Sequence, residues 1–180
     1  MKQIMIAFGM LFCISVQSQV LPKNFNDLTK QVEPNLIEWR HHFHEFPELS
    51  NREFNTGKYI ADYLKSIGLE VKYPVAKTGV VAILRGGKPG PNIGLRADID
   101  ALPVLERAPI SFASKVKAEY NGQQVSVMHA CGHDAHTAIL MATAKTLKDM
   151  QKDVAGTVVF LFQPAEEGSP NNEEGGAPLL

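Results

Sequence analysis

Met128-His129-Ala130-Cys131-Gly132-His133-Asp134-Ala135-His136 places a thiol, three imidazoles and a carboxylate within one short stretch. Cys131 and His133 stand two apart, a spacing that does not share one face of a regular helix. They converge only on a turn, for which Gly132 supplies the backbone freedom. Asp134 reads as the N-cap of a helix over 135–150. The apolar residues Ile139, Ala142, Leu147 and Met150 keep a helical period there. The stretch is therefore a ligand-bearing turn feeding a helix N-terminus, where the dipole and free N–H groups favour an anionic thiolate. Such a turn suits a metal ion.

Working outward, the helix over 135–150 leads roughly 24 Å away from the turn at 1.5 Å per residue. The apolar run Gly-Thr-Val-Val-Phe-Leu-Phe at 156–162 reads as a buried strand. Counted to Gln163, it returns roughly 26 Å at 3.3 Å per residue. The two lengths nearly cancel, so Glu166 and Glu167 arrive back at the level of Cys131 and His133. A second strand over 92–97 delivers Asp98 and Asp100 at its end, and open α/β sheets bind ligands at the carboxyl ends of their strands. Three separate clusters thus meet at one edge.

The rest of the chain fits this α/β plan. Leu28, Val32, Leu36, Trp39, Phe43 and Phe46 predict a helix, with Pro34 as a break or a late start and Pro47 as the end. His41, His42 and His44 on it read as surface or capping residues. A second helix is expected over 51–67 with Gly68 as its stop. An edge strand follows at 71–74 and a buried strand at 79–84, closed by Gly86-Gly87. Pro89-Gly90-Pro91 predicts a turn, and 103–124 an irregular loop able to cover the site.

A thiolate, an imidazole and carboxylates match borderline-soft divalent ions, zinc first among them. Cys131 and His133 serve as ligands with one carboxylate of the Glu166–Glu167 pair. The other carboxylate is free to act as general base on a water acidified by the cation. Asp98 and Asp100 hold ligand histidines in place. A solvated turn is the plain reading of two adjacent glutamates, and the nearby thiol–imidazole turn argues against it.

Arg96-Ala97-Asp98-Ile99-Asp100-Ala101-Leu102-Pro103, His129-Ala130-Cys131-Gly132-His133-Asp134-Ala135-His136 and Gln163-Pro164-Ala165-Glu166-Glu167-Gly168 together resemble three signatures of one family. It is the co-catalytic metallopeptidase family (peptidase family twenty) that includes hippurate hydrolases, N-acyl-amino-acid amidohydrolases and plant auxin-conjugate hydrolases. Arg40, His44 and Pro47-Glu48-Leu49-Ser50 resemble the end of its N-terminal helix. The resemblance implies a three-layer zinc-peptidase-like fold, with a mixed, largely parallel sheet flanked by helices. It implies Cys131, His133 and Glu167 as metal ligands and Glu166 as the general acid/base. Asp98, Asp100 and His136 take supporting roles, and His129 has no assigned one. Two divalent ions (zinc, manganese, cobalt or nickel), a small N-acyl amino acid as substrate and a homodimer are implied with it. Cys131 in place of Asp points to the amidohydrolase branch.

Members of that family run to about twice this length and carry two further histidine ligands, whereas no His follows Glu167 here. Residues 20–180 are therefore expected to be an N-terminal part of the catalytic domain, incomplete at its C-terminus, with poor activity alone. The rivals are a non-catalytic metal-binding fragment and a thiol hydrolase with Cys131 as nucleophile. Metal dependence separates the latter from the amidohydrolase.

With 44% hydrophobic and 21% charged residues the composition is that of an ordinary globular protein. A net charge of -1 gives no field favouring nucleic acid or an anionic membrane. Lys2, the apolar run 4–14 and the small or polar residues Ser15, Gln17, Ser18 and Gln19 predict a signal peptide over 1–19. Its cleavage sends the protein to the periplasm or the exterior and leaves no stable membrane association. Cys13 would leave with it, so Cys131 is the sole thiol of the mature chain.

Overall fold

The carboxyl ends of two parallel strands, set side by side, give the molecule its frame. The structure, a computed structural model, describes residues 22–180; the expected signal peptide lies outside the described residues. Helix α1 (Phe25–Glu45) and helix α2 (Phe54–Ser66) precede strands β1 (Glu70–Val75), β2 (Gly79–Arg85) and β3 (Lys88–Asp98). A hairpin of β4 (Lys117–Tyr120) and β5 (Gln123–Ser126) follows, then helix α3 (His133–Asp149), strand β6 (Ala155–Gln163) and a short helix α4 (Gly176–Leu179).

The main sheet has the order β1-β2-β6-β3. β1 and β2 pair antiparallel, as do β2 and β6, while β3 and β6 pair parallel. The sheet is mixed, as expected, but β3–β6 is its sole parallel strand pair among the described residues. A short β1–β2 connection permits an antiparallel hairpin, while α3 provides the crossover that a parallel neighbour needs.

One sheet face is closed. Val80, Ala82 and Leu84 of β2 alternate inward with Val158, Phe160 and Phe162 of β6. Val81, Ile83 and Leu161 on the other face are half-buried. α2 and α3 both contact the sheet, and α1 packs along α3. The described residues thus build one helical layer against the sheet. Phe160 and Phe162 are wholly buried, worth roughly 1.5–3 kcal/mol each.

Several local expectations change. Pro34 sits inside a continuous α1. Val32, Trp39 and Phe43 bury on either side of it, and exposed Lys30, whose carbonyl loses its donor, is open to water. α2 begins at Phe54 rather than Asn51, because Asn51 is held at φ 62 in a turn. Pro89-Gly90-Pro91 belongs to β3 as an irregularity in its register with β6, between Lys88 and Asn92, and makes no turn. The loop expected over 103–124 contains β4 and leads through Asn121-Gly122, both at positive φ, into β5. That dipeptide is a strong hairpin signal.

Candidate metal centre

The parallel register sets the site. Asp98 pairs with Gln163 across β3 and β6, so Asp100 and the Pro164–Glu167 segment leave the same edge together. Gly132, at φ 92, is the N-cap of α3 and turns Cys131 and His133 towards that edge. Asp134 lies inside the first turn and makes no capping bond. Its carboxylate instead accepts from Arg40 Nε and pairs with His44 Nδ1, each at 2.9 Å.

Cys131, His133 and Glu167 bring one ligand atom each within 4.8 Å of one another. His133 Nδ1 donates to the carbonyl oxygen of Asp100 at 3.0 Å. This leaves Nε2 facing the glutamates, 3.7 Å from Glu166 Oε2 and 3.8 Å from Glu167 Oε1. Asp100 is the hub of the segment: its Oδ2 accepts from Ser50 Oγ at 2.7 Å and from the Glu167 N–H at 2.9 Å. Backbone and hydroxyl donors thereby fix an anion beside the imidazole, the usual device for orienting a ligand histidine.

Asp98 and His136 also lie close to His133, within the same 4.8 Å limit, as a second triad sharing that imidazole. His136 Nδ1 is 3.7 Å from Asp98 Oδ2, and its ring stacks on that of His133.

The charges call for a cation. Glu167 Oε1 is buried without a hydrogen-bond partner, whereas Asp98 Oδ1 lies 3.4 Å from an Arg96 guanidinium nitrogen and Asp100 Oδ1 3.3 Å from His133 Nδ1. Burial works against charge on His133, yet the side chain and carbonyl of Asp100 outweigh it and raise its pKa to about 9. Burial likewise opposes ionisation of Asp100, but bonds from His133, Ser50 and Glu167 hold it below the usual carboxylate range. The exposed Cys131 thiol is pushed up, first by its bond to Glu167 and then by that group's charge. The expected thiolate is therefore not favoured by the helix terminus alone, because adjacent carboxylates outweigh a dipole. This is the opposite of what activates a nucleophilic cysteine. A divalent ion among Cys131, His133 and Glu167 would neutralise the unpartnered Glu167 oxygen and favour the Cys131 thiolate beside it, so the donor set fits the group.

His44 corrects the reading of the α1 histidines. It is 4% exposed and bridges Asp134 through Nδ1 and Glu106 through Nε2, the latter at 2.8 Å. His41 stacks on Phe112 and His42 on Tyr59, and both are half-buried in packing rather than free on the surface. His129 is buried, its Nδ1 has no partner, and burial lowers its pKa to about 4; it stays neutral. Glu53, absent from the sequence reading, is wholly buried and accepts from the Ala165 N–H at 2.8 Å. A lone glutamate near a helix start carries no signal of that contact.

Residues 94–180 match the model of peptidase family M20/M25/M40. This part of the chain belongs to that family. The N-acyl-L-amino acid amidohydrolase of Geobacillus stearothermophilus is 44% identical over 148 residues, 82% of this chain and 38% of the relative. Thermostable carboxypeptidase 1 of Saccharolobus solfataricus is 45% identical over 143 residues, 79% of this chain and 34% of the relative. Among solved structures, the M20 peptidase YXEP of Bacillus subtilis, described as dinuclear metal binding, superposes with a TM-score of 0.68. It is 45% identical and covers 77% of this chain and 36% of that one. The chain thus spans about a third of the length of the curated relatives it matches.

Proposed function

We propose that this sequence is the N-terminal part of a metal-dependent amidohydrolase that cleaves N-acyl amino acids to a carboxylic acid and a free amino acid. The observation that carries the reading is the separation of duties between the paired glutamates. Glu167 joins Cys131 and His133 in one ligand-sized triad, and its N–H is tied to Asp100. Glu166 lies beside that triad with its side chain 39% exposed, open to substrate and water. Cys131, His133 and Glu167 would hold a divalent ion, zinc or manganese before cobalt or nickel. A second ion would complete the centre with ligands beyond this stretch. The cation supplies positive charge that acidifies a bound water and offsets the charge growing on the acyl oxygen. Glu166 takes the proton of the attacking water and delivers it to the leaving amine nitrogen. Asp100 keeps the His133 Nδ1 proton in place, which leaves Nε2 as the nitrogen that would hold a cation.

An amidohydrolase relative and a carboxypeptidase relative match almost equally well. Cys131 and His133 favour the acyl-amino-acid substrate through the resemblance of their motif to that branch. Export with removal of residues 1–19, and a homodimer as the working assembly, belong to the same reading; N-terminal sequencing of the secreted protein tests the first. The chemical test is Glu166→Gln in the whole protein, assayed on hippurate and N-acetyl amino acids. Turnover should fall about 10²–10⁴-fold while bound metal is unchanged. Turnover within a few-fold of wild type, or loss of the metal, would remove Glu166 from its role.

A further inference from the structure

The turn between α1 and α2 reaches the catalytic segment and the stretch after it through several side chains. Ser50 Oγ donates to Asp100, the acceptor that also takes the Glu167 N–H. Asn51 Nδ2 donates to Glu173 Oε2 and to the Glu174 carbonyl, downstream of the glutamate pair. Glu53 reaches furthest in. Its Oε2 accepts from Thr78 Oγ1 at 2.6 Å and its Oε1 from the Ala165 N–H. Gly57 lets α2 lie against Thr78 closely enough for this, since a Cβ there would stand 2.1 Å from the Thr78 carbonyl oxygen.

Ala165 immediately precedes the two glutamates and sits at φ 49, a left-handed conformation that a side chain disfavours and that persists only where the surroundings impose it. The surroundings here are specific. Its N–H is bonded to Glu53, and its carbonyl accepts from the Gly176 N–H at 3.3 Å. Without Glu53 the N–H would be a buried orphan, and the chain would relax towards an ordinary φ, re-aiming Glu166 and Glu167.

We infer that Glu53 is a positioning residue that fixes the left-handed Ala165 and thereby aims Glu166 and Glu167 at the metal centre. The inference rests on the proposed roles of those two glutamates. A hydrogen-bond role predicts that the isosteric amide works and the truncated side chain does not: Glu53→Gln still offers an oxygen to Ala165, and its amide donates to the Thr78 hydroxyl. Buried polar contacts behind metal ligands characteristically cost 10–100-fold in affinity when removed.

The test compares wild type, Glu53→Gln, Glu53→Ala and Thr78→Val by two readouts. The first is the cobalt(II) dissociation constant, followed by the thiolate-to-cobalt absorption of Cys131. The second is amide hydrogen exchange at Ala165–Gly168 in the metal-free protein. Glu53→Ala should weaken cobalt binding about tenfold or more and speed exchange at Ala165 by a similar factor, while the α3 amides keep their rates. Glu53→Gln should stay close to wild type, and Thr78→Val should move both readouts the same way by less. Unchanged affinity and exchange in Glu53→Ala, or Glu53→Gln no better than Glu53→Ala, would overturn the inference. Should Glu53→Ala fail to fold, wild-type values in Thr78→Val would overturn it instead. A wild-type protein that takes up no cobalt would refute the metal reading, while the exchange data would still decide whether Glu53 holds Ala165.

Discussion

His133 holds a proton until about pH 9, because Asp100 outweighs the burial that opposes it. A cation at Nε2 must displace that proton, and a thiolate ligand must also lose the proton that Glu167 stabilises on Cys131. Metal affinity should therefore rise steeply with pH up to about 9, and less steeply beyond it, where the raised Cys131 thiol is the proton still to be displaced. Chelator competition across pH 6–9 measures this, and a flat profile would contradict the assigned ligands. Glu53 gives a second pH dependence. Burial is the main cause of its pKa of about 7, partly countered by the Thr78 and Ala165 donors. A carboxyl raised in the fold favours the native state below its unfolded value of 4.5, and this contribution fades as pH rises through about 7. At about 1.4 kcal/mol per pH unit the loss amounts to about 3 kcal/mol. Glu53→Gln should thus have denaturant stability that falls less than wild type between pH 5 and pH 8. A wild-type slope in that variant would refute the ionisation.

The elements show where residue patterns suffice and where they fail. Strands β2 and β6 were legible because β-branched and aromatic runs bounded by glycine have few other homes. Their alternation between a closed and a half-open face was not, since both faces are apolar in sequence. α3 was legible in extent, but Ile139 of its expected buried face is 53% exposed. It borders the hollow lined by Phe25, Leu36 and Leu147, while Ala138, Met141 and Ala144 carry the packing. α1 shows tertiary packing overriding a local rule, because burial of Val32, Trp39 and Phe43 carries the helix across Pro34. Removing the ring restores one backbone donor and relieves the steric conflict, against a modest gain in unfolded-chain entropy. Pro34→Ala should therefore stabilise the protein by about 1–2 kcal/mol in chemical denaturation. Equal or lower stability would mean that the helix is bent to suit the ring.

For the whole molecule, the juxtaposition of the candidate ligands was legible because it rests on short stretches of chain. Cys131 and His133 share one turn, and Glu166 and Glu167 return by simple lengths of helix and strand. What surrounds them was hidden because it depends on contacts distant in sequence. His44 meets Asp134 across 90 residues, and Glu53 meets Ala165 across 112. Neither pairing leaves a trace in periodicity or spacing. The proposed chemistry requires that the strand ends and the α3 turn assemble a cation site through Cys131. The direct measurement is the metal content of the purified chain by atomic spectrometry, wild type against Cys131→Ala, after dialysis against zinc or manganese at pH 8. Wild type should hold at least about one equivalent, reduced tenfold or more without the thiolate. No bound metal in wild type, or the same amount in Cys131→Ala, would contradict that chemistry.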